Sequence, residues 1–182
     1  MLLSVQTKGI IPFNMALKFD EIGYWSEVKH DIIRRYALEY SKIISGWTNP
    51  ELYHVYIDAF AGPGHHISKK TNKPVSGSPQ IALNIQPPFK EYYFIENNEE
   101  KVQELQQITA NFPTAKVILG DCNKVLLKDV FPHVQYEQYR RGLCLLDPYG
   151  LDLNWEVIKE AGRMKSIDMF LNFPICDHCC PR

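Results

Sequence analysis

Tyr53-His54-Val55-Tyr56-Ile57-Asp58 runs directly into Ala59-Phe60-Ala61-Gly62-Pro63-Gly64. The first half is a short, mostly apolar run closed by an acid, the pattern of a strand buried on both faces. The second half is a glycine turn. Without Cβ atoms, Gly62 and Gly64 let the backbone approach a ligand closely or take positive φ. Open α/β sheets bind ligands outside the carboxyl ends of their strands, so this junction is the first place to look for a site.

Downstream, a polar stretch from His65 to Gly77 intervenes before Ser78-Pro79, an N-cap with proline at the first helical position. Ile81, Ala82, Leu83 and Ile85 carry that helix to Pro87. Upstream, Val28, Ile32, Ile33, Tyr36, Tyr40 and Ile43 recur at three- and four-residue steps. They predict a helix over 25–44, with Ser26 as N-cap and Gly46 as stop. The alternation then repeats. Strands are expected at 92–95, 116–119, 143–146 and 169–173. Helices are expected at 98–109, 124–130 and 155–164. Strands alternating with helices indicate βαβ units, a parallel sheet and right-handed crossovers that cover both faces.

Four successive strand ends carry Asp58, Glu96, Asp121 and Asp147. One such acid usually caps the next helix; four in series beside a glycine turn point to a site. A carboxylate after the second strand can accept two hydrogen bonds from the vicinal hydroxyls of a ribose. An Asp after the third can accept from an adenine amino group. Together they describe a site for an adenosine-containing cofactor. The nicotinamide fingerprint is incomplete: Gly62-x-Gly64 is followed by His65, His66 and Ile67, with no third glycine. An NAD-dependent oxidoreductase is therefore the weaker reading. No phosphate-binding Gly-x-x-x-x-Gly-Lys-Ser/Thr loop occurs.

Asp58-Ala59-Phe60-Ala61-Gly62-Pro63-Gly64 resembles the Asp-x-Phe-x-Gly-x-Gly turn of methyltransferases that use S-adenosylmethionine (SAM), especially those acting on nucleic acids. Leu146-Asp147-Pro148-Tyr149-Gly150 is similar to their catalytic Asp/Asn-Pro-Pro-Tyr loop, without its second proline, and to the Asp-Pro-Phe-Gly loop of guanine-N2 tRNA methyltransferases. The order of motifs resembles the three-Cys-motif partner proteins over about residues 25–174. The matching stretches include Trp25-Ser26 with Lys29 and Tyr36, the 56–64 turn, Gly77-Ser78-Pro79, Phe94-Ile95-Glu96, Gly120-Asp121-Cys122-Asn123, the 146–151 loop and Asn172-Phe173-Pro174.

The resemblance implies an α/β, Rossmann-like methyltransferase fold and SAM binding by Asp58, Phe60, Gly62, Gly64, Glu96, Asp121 and Cys122. It implies catalysis by Asp147, Pro148 and Tyr149. The expected reaction is methylation of an exocyclic amine on an RNA or DNA base. Asp147 and the Pro148 carbonyl would hold the amine, and Tyr149 would stack on the displaced base. Pyrimidine carbon-5 chemistry needs a cysteine nucleophile in this loop. Cys144 sits inside the strand instead, where it reads as a small buried hydrophobe. The basic stretch His65–Lys73 reads either as a solvated loop or as a phosphate-contacting one. Arg140-Arg141 is ambiguous in the same way. Lys29 is a weak candidate for the cofactor carboxylate.

Methyltransferases of this kind continue past the fifth strand into an antiparallel edge pair. Here Pro174 is followed by eight residues. The sheet is therefore expected to lack its last two strands, leaving a truncated form, a non-native tail, or a sheet completed by a partner protein. A non-catalytic SAM-binding or partner module is the alternative function. The expected organisation is a tail over 1–24, one domain over 25–174 and a terminal segment over 175–182.

The chain has 182 residues, 45% of them hydrophobic and 23% charged, which suits one globular domain and excludes a disordered chain. Its formal net charge of −1 excludes a globally basic nucleic-acid binder but not a local basic patch. No run reaches the roughly 20 apolar residues of a membrane span. The first 20 residues are broken by Lys8, Pro12 and Asn14 and make a poor signal peptide, so a cytoplasmic location is expected. Five cysteines, three of them in the last seven residues, argue for reduced thiols. Cys176 and Cys179 have zinc-like spacing but no second pair, so no metal is expected.

Overall fold

The computed structural model describes residues 21–48, 50–148, 150 and 152–172. Tyr149 and the terminal Cys/His cluster lie outside them. Five strands, β2 (Tyr53–Asp58), β5 (Glu91–Glu96), β6 (Ala115–Leu119), β7 (Arg140–Leu146) and β8 (Ile167–Leu171), form one sheet. Its order is β6-β5-β2-β7-β8, and every neighbouring pair is parallel. The connections from β2 run outward to β5 and β6, then return past β2 to β7 and β8. The order therefore reverses beside β2, and the carboxyl ends of the strands meet there in a crevice.

The strands alternate between two apolar layers because successive side chains point to opposite faces. Tyr56, Tyr92, Phe94, Leu143 and Leu145 pack against Ile33, Ala37 and Tyr40 of α1 (Tyr24–Ser45), Ala82 and Leu83 of α2 (Ser78–Leu83), and Leu105 of α3 (Glu99–Thr109). Val55, Ile57, Tyr93, Ile95, Cys144 and Leu146 pack against Cys122 and Val125 of α4 (Cys122–Val125) and Val157 and Ala161 of α5 (Trp155–Met164). Helices thus cover both faces, and the chain has a Rossmann-like α/β fold. No antiparallel pair follows β8 among the described residues.

Several local expectations are corrected. α1 begins at Tyr24, one residue before the expected helix start, with Gly23 as its N-cap. The Gly23 carbonyl accepts from the Ser26 and Glu27 N–H groups, so Ser26 lies inside the helix and is not its cap. Gly77, not Ser78, occupies the cap of α2. The expected helix over 124–130 is α4 followed by a wider-wound turn, Leu126–Val130, and a 3-10 turn, Phe131–His133. β7 starts three residues earlier than its apolar core suggested, because Arg140 and Arg141 pair in register with Tyr53 and His54. β8 lies two residues earlier than expected at each end.

The largest correction concerns the polar stretch. It contains a hairpin, β3 (His65–Ser68) and β4 (Pro74–Ser76), paired antiparallel from His65↔Ser76 to Ile67↔Pro74. A two-residue strand, β1 (Glu21–Ile22), adds to β3 in parallel. Gly77 closes the hairpin at its base, its N–H donating to the Gly64 carbonyl at 2.8 Å. A Cβ at Gly77 would stand 2.9 Å from that carbonyl carbon and oxygen and 3.1 Å from His66 Nε2. Gly77→Ala is therefore expected to destabilise the chain by about 1–3 kcal/mol, because backbone cannot step aside as a side chain can. A urea midpoint unchanged from the parent would contradict this.

Candidate functional site

A cavity of about 800 Å³ opens at the carboxyl ends of β2, β5 and β6. That is within the range of about 300–1,000 Å³ common for small-ligand sites. Its wall includes Ala59 and Phe60 after β2, Glu96 to Asn98 after β5, Asp121 to Asn123 after β6, and Asp152 and Asn154 after β7.

Glu96 is fixed by three backbone donors. Gly62 N–H donates to Oε2 at 2.9 Å, and the Asn97 and Asn98 N–H groups each donate to Oε1 at 2.9 Å. The glycine bend thus contributes through its amide. Gly62 has φ +64°, a left-handed conformation that side chains resist. With two lone pairs on each oxygen, the carboxylate keeps capacity for further donors from the cavity.

Asp121 caps α4, its Oδ1 accepting from Asn123 N–H at 2.8 Å and Lys124 N–H at 3.2 Å. Capping and facing the cavity are compatible, since Oδ1 alone makes both bonds. Cys122 is buried at the same corner, and burial pushes its thiol up to about 11. Asn123 joins two walls: its Oδ1 accepts from Asn154 N–H at 2.7 Å and its Nδ2 donates to the Asp152 carbonyl at 2.8 Å. Asn123 belongs to the quoted Gly120–Asn123 motif but has no site role in the sequence pattern, nor have Asp152 and Asn154, because an Asn one residue inside a helix start gives no signal of a cross-loop tie.

Asp58 and Gly64 are not part of the cavity wall. Asp58 is fully buried beneath the bend; its Oδ1 accepts from Phe60 N–H at 3.3 Å while Oδ2 has no hydrogen-bond partner. Burial pushes its carboxyl up to about 7, the Ser78 hydroxyl and Phe60 amide pull it back, and the charges of Asp147 and Glu96 push it further up. Gly64, at φ +84°, packs against α3, where a Cβ would meet Ile108 Cδ1 at 2.7 Å.

Asp147 forms a second cluster at the end of β7. Lys29 Nζ donates to its Oδ2 at 2.5 Å, and Asn172 Nδ2 donates to its Oδ1 at 2.7 Å. Lys29 therefore reaches the acid itself, across 118 residues of sequence. Pro148 follows, buried. Beside Lys29, His30 stacks on His66 of the hairpin with ring centroids 5.7 Å apart. Burial, then the neighbouring His66 and Lys29, lower the His30 imidazole to about 4. Arg140 is drawn into an ion pair with Glu91 beneath the opposite strand ends and stacks on Tyr53.

These buried groups set a pH dependence. His54, like His30, is lowered to about 4 by burial and by Lys90. Each imidazole is neutral when folded and takes up a proton on unfolding below its ordinary 6.5, so folding weakens as pH falls from 6.5 towards 4. Asp58 opposes them: folded, it keeps its proton up to about 7, whereas its ordinary value is 3.8. Two groups against one leave stability rising with pH across that window, by about 1.4 kcal/mol per unit. Asp58→Asn removes the opposing group and is expected to double the slope, approximately, in urea midpoints taken along the window. Identical slopes in parent and variant would refute this assignment.

No family model matches the chain, and no curated protein matches it. Among solved structures, protein LPL1258 of Legionella pneumophila strain Philadelphia 1, from family DUF519, superposes with a TM-score of 0.54 at 14% identity, over 76% of this chain and 65% of that one. A provisionally named methyltransferase of Escherichia coli, yhhF, gives 0.45 at 18% identity, over 74% and 60%. Another provisional methyltransferase, from Thermobifida fusca YX, gives 0.41 at 14%, over 77% and 50%. The chain thus spans between half and two thirds of the length of these structures. At such identities the likeness to the Legionella protein is one of fold.

Proposed function

We propose that the chain is a SAM-dependent methyltransferase of the three-Cys-motif partner type. Its proposed acceptor is an exocyclic amine on a nucleic-acid base. The observation that carries this reading is the cavity in which Phe60, Glu96, Asp121 and Cys122 meet, with Glu96 locked to the glycine bend through Gly62 N–H. The donor set suits an adenosine-containing cofactor: Glu96 faces the cavity as an acceptor for hydroxyl groups, and Phe60 and Ile95 supply apolar wall.

When bound, SAM supplies an electrophilic methyl group on a sulfonium. The remaining work belongs to the chain. Asp147, kept in place by Lys29 and Asn172, accepts an N–H of the amine with a lone pair those two donors leave free. The Pro148 carbonyl accepts the other N–H. The amine lone pair is thereby aimed at the methyl carbon, which is catalysis by positioning and electrostatics. Tyr149 is assigned the stacking role.

Calorimetry with S-adenosylhomocysteine tests the cofactor half. Binding by the parent that is lost in Glu96→Ala is expected; no binding by the parent sinks the assignment, and binding of NADH instead restores the oxidoreductase reading. Tritium transfer to pooled RNA and DNA tests the acceptor half. Cofactor binding with no label transfer would leave a non-catalytic module.

A further inference from the structure

Most ion-paired lysines among the described residues lie against a carboxylate of a neighbouring turn or strand: Lys42 with Glu39, Lys90 with Glu51, Lys116 with Glu91, Lys159 with Glu156. The β3–β4 tip is different. Lys69, Lys70 and Lys73 are exposed there and have no such partner among the described residues, and no Asp or Glu occurs from His65 to Gly77. In a chain of net charge −1, three ammonium groups thus cluster on one turn, beside the Glu27 carboxylate that the Ser68 hydroxyl engages. Among the described residues, Lys124, Lys128 and Lys165 also have no ion pair, but they are spread over α4, the turn after it and the end of α5.

The tip is a built element. Ser68 N–H donates to the Lys73 carbonyl at 3.0 Å and Asn72 N–H to the Ser68 carbonyl at 2.8 Å, with Asn72 at φ 51° turning the chain. Lys69 N–H donates to the Ile22 carbonyl of β1 at 3.0 Å. The Ser68 hydroxyl donates to Glu27 Oε1 at 2.5 Å, and His66 stacks on His30. Glu27 and His30 flank Lys29, the residue that holds Asp147. The lysines therefore stand on a braced arm whose anchor is the same helical turn that sets the acid of the reaction centre. Exposed ammonium groups on a braced backbone, with no carboxylate partner among the described residues, suit a row of phosphodiesters, since neutralising phosphates releases their counterions.

We infer that the β3–β4 tip is a phosphate clamp, with Lys69, Lys70 and Lys73 holding the sugar–phosphate backbone of a single nucleic-acid strand whose base is offered to Asp147. The acceptor role of that base rests on the methyltransferase reading; the backbone contact does not.

The test is fluorescence anisotropy of the full chain with a short labelled single strand of mixed sequence, made once as RNA and once as DNA. For K69Q/K70Q/K73Q, affinity is expected to fall about tenfold near physiological salt. The slope of log affinity against log salt should shrink by about 2, since each phosphate contact on a single strand contributes about 0.7. The control K128Q/K165Q should move neither quantity. Equal loss on both strands assigns the contact to phosphate alone; a larger loss on one adds recognition of its sugar. Unchanged affinity and slope in the triple variant, or a parent that binds neither strand, overturn the clamp. A urea midpoint equal to the parent's shows that the triple variant is folded, and calorimetry with S-adenosylhomocysteine on the same preparations reads the methyltransferase proposal separately. Cofactor binding with an unaffected strand affinity defeats only the clamp, and the reverse pattern defeats only the cofactor.

Discussion

Asp147→Ala is expected to lower methyl transfer by at least about 10²-fold, the scale seen when one preorganised polar group of a reaction centre is removed. Binding of S-adenosylhomocysteine should stay within about twofold, because Asp147 is not part of the cavity wall. The two effects separate because Asp147 and the cavity are built from different neighbours. Asp147 touches Lys29 and Asn172, whereas the cavity is walled from after β2, β5, β6 and β7. Truncating the acid leaves the Lys29 ammonium without its carboxylate, so part of any loss could come from a shifted α1. Lys29→Met addresses this. It keeps Asp147 but releases Oδ2, and it should reduce kcat more than it raises KM for the acceptor. A single-turnover assay with pooled RNA and DNA reads both variants. Full activity in Asp147→Ala would remove the acid from the reaction.

Glu96→Ala should abolish measurable cofactor binding, a loss of about 10²-fold or more. Hydrogen bonds to a charged group contribute about 1.5–3 kcal/mol each, and every factor of ten in affinity is about 1.4 kcal/mol. The substitution also strands the Gly62, Asn97 and Asn98 amides that converge on the side chain. A lowered urea midpoint is therefore expected alongside the lost binding. Glu96→Gln separates the two causes. It retains one acceptor oxygen for the amides but presents an NH₂ group where Glu96 had a second, so it should recover stability better than affinity. Full recovery of S-adenosylhomocysteine binding in Glu96→Gln would mean that the carboxylate charge is not what the ligand uses.

Much of the fold was legible because the signals were local. Each strand is a short, mostly apolar run, four of the five are closed by an acid, and helical stripes lie between them, so five parallel strands and their order of appearance could be read from Tyr53 onwards. The hairpin was not legible. His65 to Gly77 has no sustained alternation of apolar and polar residues, and its strands exist because β1, Glu27 and His30 receive them. For the site, the acids at the strand ends were visible, but their employment was not. Glu96 is bound by backbone amides, Asp121 is also a cap, and Asp58 is sealed below the wall. No spacing rule could have paired Lys29 with Asp147, because that contact depends on where α1 crosses the sheet.

That crossing divides the molecule's chemistry into two halves with separate histories open to them. The cavity draws on the loops after β2, β5, β6 and β7, whereas the setting of Asp147 depends on a helix docked from far upstream. On the methyltransferase reading, changes in α1 and the hairpin it braces would retune which acceptor is presented while the donor half stays as it is.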